Sequence, residues 1–338
     1  MSWYHPVKIG NLELSGNLFL APIAGYSDRA FRSLCVECGA SFCTTEMVSA
    51  EALVRNNIKT LDLMARAPVE KSYAVQIFGG NPQIMAEAAQ IVLEKTDCEC
   101  IDINGGCPVP KITKTGAGSM LTKEPDRLYS IVSAVKETSL KYTKSHPERK
   151  NVPVTIKIRS GWDSEHITWK ECAQAALDAK ADAITIHART KAQGYSGKAD
   201  WEIQRQLVKF IDGRIPVFGS GDANSPESTL QMFEQTNVDG IMFARGAMGD
   251  PFLFTRTIEF LTSGKYTKET FEQRISAGFK ELEMNVEIYG EKSACLQMRK
   301  KFCAYTSGMQ GSSQLRKQIV NTSSVEEYKK ILADFIKI

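Results

Sequence analysis

No stretch of the 338 residues holds the ~18 uninterrupted apolar side chains that a membrane span needs. The first residues, MSWYHPVKIG, lack the apolar core of a signal peptide. The expectation is a protein that stays in the cytoplasm and has no membrane partner. Histidine and cysteine nowhere gather at zinc-ligand spacing. Cys35 and Cys38 lie in FRSLCVECGA, an amphipathic helix pattern, Cys98 and Cys100 lie where a helix hands over to a strand, and neither pair has a second pair to complete a metal site. No metal is expected. The nine cysteines are scattered, so they read as reduced thiols rather than a disulfide framework. Low-complexity linkers and short-period repeats are missing too. Acidic residues are absent between Lys292 and Lys317, a span carrying Lys292, Arg299, Lys300, Lys301, Arg316 and Lys317. Such a run is either a solvated helix face or a surface that meets phosphates, and the run alone does not choose.

What is present is an ordinary globular composition, 43% apolar and 24% charged, which excludes disorder. Residues 7 to 16, VKIGNLELSG, alternate around Gly10-Asn11 as a small hairpin does. Then NLFLAPIAGYSDRAFRSLCVECGA reads as strand, loop and helix, with Ser27 or Asp28 as N-cap and a stop at Gly39. The unit recurs: strand candidates begin at Ser41, Tyr73, Cys100, Pro153, Asp182, Pro216 and Asp239, separated by helical patterns such as NPQIMAEAAQIVLEK and SPESTLQMFEQT. The strands are continuous apolar runs, as in a parallel sheet buried on both faces. With the first they number eight, the count of a (β/α)8 TIM barrel, an α/β fold. An open doubly wound sheet ranks second, because no Gly-x-Gly-x-x-Gly follows the first strand. The polar stretch KYTKSHPERKN, 141 to 151, falls on the face opposite the mouth, where its charges are expected to be only solvated. From about Thr267 the pattern is helical without strands, so the expected division is a barrel over residues 1–255 and an all-helical domain over 256–338.

In such a barrel the carboxyl ends of the strands face one mouth. The residues there are Pro22, Ile23 and Ala24, Glu46, Gln76, Asn104 to Cys107, Lys157 and Arg159, His187 and Arg189, Ser220, Gly221 and Asp222, and Ala244, Arg245 and Gly246. GSGD and ARGAMG follow the seventh and eighth strands, where barrels build phosphate sites from glycine turns and a helix start. Arg245 is suited to clamp that phosphate. Lys157 reads either as an ion-paired lysine or as the partner of an anionic ligand. The densest stretch is 101 to 121, IDINGGCPVPKITKTGAGSML, a short strand, a cysteine on a tight turn and a basic loop. A cysteine so placed points to chemistry rather than packing.

This stretch resembles the signature of the tRNA-dihydrouridine synthases, bacterial type, in Asn104, Gly106, Cys107, Pro108, Lys111, Gly116, Gly118 and Ser119. The similarity extends from about Val7 to Gln318. It implies FMN as cofactor, NADPH or NADH as reductant and tRNA as substrate, reduced at one uridine to 5,6-dihydrouridine. By that resemblance Pro22, Ile23, Ala24, Gln76, Lys157, His187, Ser220, Gly221, Asp222, Ala244 and Arg245 hold the flavin. Ile23 stands where the family has Met, and Ser220 and Ala244 where it has Asn and Gly. Hydride passes from the reduced flavin to carbon 6 of uracil, and Cys107 is the expected acid at carbon 5, since a thiol near pKa ~8.5 keeps its proton at neutral pH. Asn104 is expected at the uracil edge, Arg159 and Arg189 at neighbouring phosphates or bases, and Arg299, Lys300, Lys301 and Arg316 on the tRNA backbone. A monomer is the expected form. Two rival readings are an FMN oxidoreductase for a small pyrimidine or enone, which needs no basic helical domain, and a flavoprotein RNA-binding or folding factor, which tolerates loss of Cys107.

Overall fold

The computed structural model describes residues 2–336. Eight parallel strands form its centre: Leu18–Leu20, Phe42–Thr44, Tyr73–Phe78, Cys100–Gly105, Val154–Gly161, Ala183–Thr190, Val217–Ser220 and Gly240–Phe243. Each pairs with the next, and Ile241 beside Leu18 joins the last strand to the first, so the sheet closes into a TIM barrel. Nearly every strand residue is buried, because one face looks into the barrel and the other is covered by helices. A two-residue strand, Val48–Ser49, adds to the edge of the third strand and leads into two short helices, Ala50–Val54 and Ile58–Leu63, which the sequence pattern did not announce.

Two cores follow from this. Outside the strands, Met85, Val92, Leu128, Ile131, Met232 and Phe233 come from helices packed on the sheet. Inside, Phe19, Phe42 and Phe218 meet edge to face with centroids 6.0 and 4.9 Å apart, and Ile9 and Leu14 of the Val7–Ile9/Leu12–Leu14 hairpin join them. Cys100 and Ala183, the first residues of their strands, belong to the same cluster, so the hairpin closes the amino-terminal end of the barrel. The opposite, carboxyl end remains free for a site.

Asp28 caps the helix Arg29–Glu37, accepting from the Phe31 N–H at 2.9 Å. The stretch from 141 is not simply a solvated loop. The helix Pro125–Ser145 runs through its first half, and Arg149 ties the rest down by donating to the carbonyls of Leu93 and, at 2.9 Å, Cys98. Four carboxyl-terminal helices, Phe271–Tyr289, Glu291–Tyr305, Ser312–Ile319 and Val325–Ile336, share their own core of Leu282, Met298, Phe302, Tyr305, Leu315 and Tyr328. The expected division at 255 falls inside the helix Leu253–Ser263, whose Leu253 and Phe254 sit in the barrel's outer core with Phe254 5.1 Å from Phe243.

Candidate active site

The mouth of the barrel encloses a cavity of about 240 Å³, and most of the residues expected there line it. Pro22, Ile23 and Ala24 come from the loop after the first strand, Asn104 and Cys107 from the fourth, Lys157 and Arg159 from the fifth and His187 from the sixth. Ser220, Gly221 and Asp222 follow the seventh strand, Ala244 and Arg245 the eighth.

Cys107 is held by its own loop. Its carbonyl accepts from both the N–H and the hydroxyl of Ser119, at 3.0 and 2.9 Å, which folds 107 to 119 back on itself. Gly118 makes that closure possible: its φ is +61°, and an added Cβ would stand 2.7 Å from the Cys107 carbonyl oxygen. Burial raises the thiol pKa more than the Val109 N–H, Arg159 and Lys157 lower it, so Cys107 is a protonated thiol at neutral pH.

Asn104 lines the cavity, whereas Gln76 lies behind it. The Asn104 carbonyl oxygen accepts from the N–H groups of Gly106 and Cys107 at 3.1 and 2.9 Å. Its amide nitrogen donates to Gln76 Oε1 at 2.8 Å and lies 3.5 Å from the Met47 sulfur. Gln76 Nε2 in turn donates to Asp102 Oδ2 at 2.6 Å, and the Thr155 hydroxyl donates to Asp102 Oδ1, also at 2.6 Å. Gln76 is fully buried and does not line the cavity. Burial raises the Asp102 pKa while the Thr155 and Gln76 hydrogen bonds and Lys157 pull it down, and with Asp102 accepting from Gln76, this chain of bonds presents the Asn104 oxygen to the Cys107 backbone. The two amides orient the cysteine loop, Asn104 directly and Gln76 through Asn104.

On the other wall, Lys157 forms no ion pair among the described residues. Burial and then Arg159 lower its pKa to about 8, with Asp102 pulling the other way. Burial and the cations Lys157, Arg159, Arg189 and Arg245 push His187 down to about 2, so its ring is neutral. Arg189 Nη1 lies 3.3 Å from His187 Nε2, and because a guanidinium can only donate, the remaining proton sits on Nδ1. Gly221 lets the turn pass this ring, since a Cβ there would meet His187 Cδ2 at 2.8 Å. Gly221 and Asp222 both have positive φ, 106° and 64°, and Arg245 opens a helical turn, whose first N–H groups have no intrahelical acceptor. Backbone of this shape can hold an anion. The Asp222 carboxylate accepts from Arg189 Nη2 at 2.8 Å, from the Ala199 N–H at 2.7 Å and from Arg245 at 3.4 Å. Against its partial burial, these donors hold it below the usual carboxylate range. Its side chain therefore aims the arginines rather than facing an anion itself.

Arg189 is corrected: it is 2% exposed and its guanidinium is taken up by the Ser196 and Gly197 carbonyls and the Asp222 carboxylate. Arg159, equally buried, donates to the carbonyls of Gly106, Thr190 and Gly194 and still lines the cavity. Lys301 is corrected more sharply. It is 1% exposed and forms ion pairs with Asp28 on the barrel and Glu281 on the neighbouring helix. Two carboxylates around one ammonium hold its pKa well above the usual lysine range, against the cost of its burial. It joins the barrel to the helical region and cannot reach solvent. Lys300 and Arg316 are exposed, and Arg299 is half-buried with Nε on the Thr322 carbonyl at 2.8 Å. Lys300 lies 5.2 Å from the ring centroid of Tyr26, beside the Pro22–Gly25 loop. Glu46 does not line the cavity; it accepts from the Gly25 N–H at 2.6 Å and steadies the same loop.

Sequence reasoning missed Met47, Tyr195 and Asn224 in the cavity wall. Met47 follows the second strand directly after Glu46, so its place was legible. Tyr195 stands in a loop ten residues long, where strand-end counting gives no guide.

Comparison with known proteins adds the family. Residues 19–337 match the family model described as Dihydrouridine synthase (Dus). The chain is 50% identical over 333 residues to a probable tRNA-dihydrouridine synthase of Treponema pallidum, covering 98% of this chain and 96% of that one. It is 38% identical over 258 residues to tRNA-dihydrouridine synthase B of Vibrio cholerae, 76% of each chain. Among solved structures, DHODH of Eimeria tenella, crystallised with ferulenol, superposes with a TM-score of 0.54 at 13% identity, covering 75% of this chain and 82% of that one. Histamine dehydrogenase of Rhizobium sp. 4-9 gives 0.56 at 16% identity over 82% of this chain and half of that one, and both likenesses concern the barrel fold alone. With the family model spanning nearly the whole chain and a relative half identical along its length, the chain belongs to the dihydrouridine synthase family.

Proposed function

We propose that this protein reduces a uridine of tRNA to 5,6-dihydrouridine, with FMN in the barrel mouth and NADPH or NADH as the source of electrons. The observation that carries the proposal is the meeting, in one cavity, of a protonated thiol, an unpaired lysine and a glycine-turn anion cradle. The cavity fits an anionic flavin on its own chemistry. Gly221 and Asp222 with Arg245 offer backbone donors and a guanidinium to a phosphate, and Lys157 lacks an anion among the described residues. Ile23 and Met242 give apolar wall. Neutral His187 presents an Nδ1 proton. Bound there, the flavin would supply hydride to carbon 6 of the uracil ring.

The chain's own residues supply the rest. Cys107 holds a proton for carbon 5, and the thiolate left behind is reprotonated from water. Asn104, fixed by Gln76 and Asp102, keeps the Cys107 backbone in place through both amide hydrogens of the turn. Lys157 and the neutral His187 steady the anion. The target base must leave its stack to enter the mouth, which requires RNA to be gripped nearby. Exposed Lys300 and Arg316, with half-buried Arg299, are assigned to the phosphates, as a unit with the helices after Ser263. The enzyme works as a monomer where tRNA is, in the cytoplasm; among the described residues no helix is long and apolar enough to cross a membrane.

The test is the identity of the bound chromophore. Purified protein should release FMN on heating, and NADPH should bleach the visible flavin band of the intact protein. A chain that carries no flavin and binds none when FMN is added overturns the reading.

A further inference from the structure

We propose that Tyr195 is a stacking platform for a nucleobase next to the uridine in the cavity; this rests on the RNA reading above. Tyr195 lines the cavity yet is 59% exposed, so its ring stands at the rim with open surface. An exposed ring on a loose loop would mean little. This loop is not loose. Arg159 Nη1 donates to the carbonyls of Thr190 and Gly194 at 2.8 and 2.9 Å, and Arg189 donates to those of Ser196 and Gly197 at 3.2 and 2.7 Å. Two buried guanidinium groups thus hold the four carbonyls that bracket one exposed tyrosine. Arg159 has no carboxylate partner among the described residues, so a charge is buried here to fix a surface loop. Gly194 and Gly197, at φ +57° and +63°, shape the turn on either side, and no heavy atom lies within 4 Å of a Cβ at Gly194, so backbone conformation rather than space calls for glycine there.

The surroundings fit single-stranded nucleic acid. The Tyr195 ring centroid is 5.8 Å from the guanidinium carbon of Arg159 and 4.9 Å from that of Arg245. The adjoining loop carries Trp162 with Lys123 and Lys191 at 5.2 and 4.4 Å from its ring. The two loops are joined by Lys191 N–H to the Gly161 carbonyl at 2.9 Å and Ala192 N–H to the Trp162 carbonyl at 2.8 Å. Aromatic rings interleaved with cations are what bases and phosphates require together. A uridine drawn into the mouth leaves its neighbour without a stacking partner, and a ring fixed at the rim replaces that partner.

The test compares Tyr195→Ala and Tyr195→Phe with the intact enzyme on tRNA lacking dihydrouridine, measuring kcat, KM for tRNA and bound flavin. The expected result is a KM for tRNA raised about tenfold in Tyr195→Ala, the size of one lost base stack, with flavin still bound. Tyr195→Phe keeps the wild-type KM because the ring remains. An unchanged KM in Tyr195→Ala beside an active wild type overturns this inference alone. Loss of flavin with no change in KM also overturns it, and makes Tyr195 a support for Arg245. A flavin-loaded wild type inert toward tRNA overturns the RNA reading and this inference with it.

Discussion

Cys107 keeps its proton because its burial outweighs the cations and the N–H near it, and that has a consequence for pH. An acid acts only below its pKa, and this one is raised. Single-turnover reduction should therefore be flat from about pH 6 to about pH 8 and fall only above the ordinary thiol range. A rate that falls between about pH 6 and 7 would contradict the thiol as donor. Lys157 titrates lower: in flavin-free protein its charge is present below about 8 and lost above it. FMN affinity, measured by fluorescence quenching, should weaken as pH rises through that value. Gln76→Leu tests the amide chain. It strips Asp102 and Asn104 of a partner each, should cost about 1–3 kcal/mol in urea unfolding, and should slow turnover while FMN stays bound. The place of Cys107 in the cavity wall was legible because the stretch that carries it is contiguous. The hydrogen bonds of Gln76 and Asn104 were not, since their partners lie on neighbouring strands, 26 and 28 residues away in sequence.

The helix Glu291–Tyr305 carries both kinds of basic residue. Ala294, Met298, Lys301 and Tyr305 recur at spacings of four, three and four, which is one face of a helix, and all four are buried. Lys301 lies on that stripe and Lys300 does not. Counting charge along the run hid a periodicity that the same residues display. Because the Lys301 ion pairs join the first barrel helix to the carboxyl-terminal helices, Lys301→Ala should destabilise the protein by about 3–5 kcal/mol through unpaired buried carboxylates. Thermal or urea unfolding measures it. Lys300→Ala, on the exposed face, should leave stability unchanged. The strands were readable as apolar runs, whereas the short helices between Ala50 and Leu63 were not, because five or six residues give too few turns for a period to show.

At the scale of the molecule, a net charge of +3 conveys little and its placement conveys more. If Lys300, Arg299 and Arg316 meet phosphates, tRNA affinity should fall steeply with salt, and Lys300→Ala should flatten that slope by about one ion. The number of strand-helix units made a barrel legible, but closure itself, Ile241 beside Leu18, is a long-range pairing that no local pattern encodes. On the proposed function, the choice of uridine would likewise depend on how a large RNA lies across the mouth and the carboxyl-terminal helices, which no local pattern encodes. The central claim is a reaction, and one measurement addresses it most directly: nucleoside mass analysis of tRNA lacking dihydrouridine after incubation with the purified, flavin-loaded protein and NADPH. Dihydrouridine should form with the intact chain and drop by about 10²-fold or more with Cys107→Ala, flavin still bound. No product from the intact, reduced enzyme, or an equal rate from Cys107→Ala, would contradict the account.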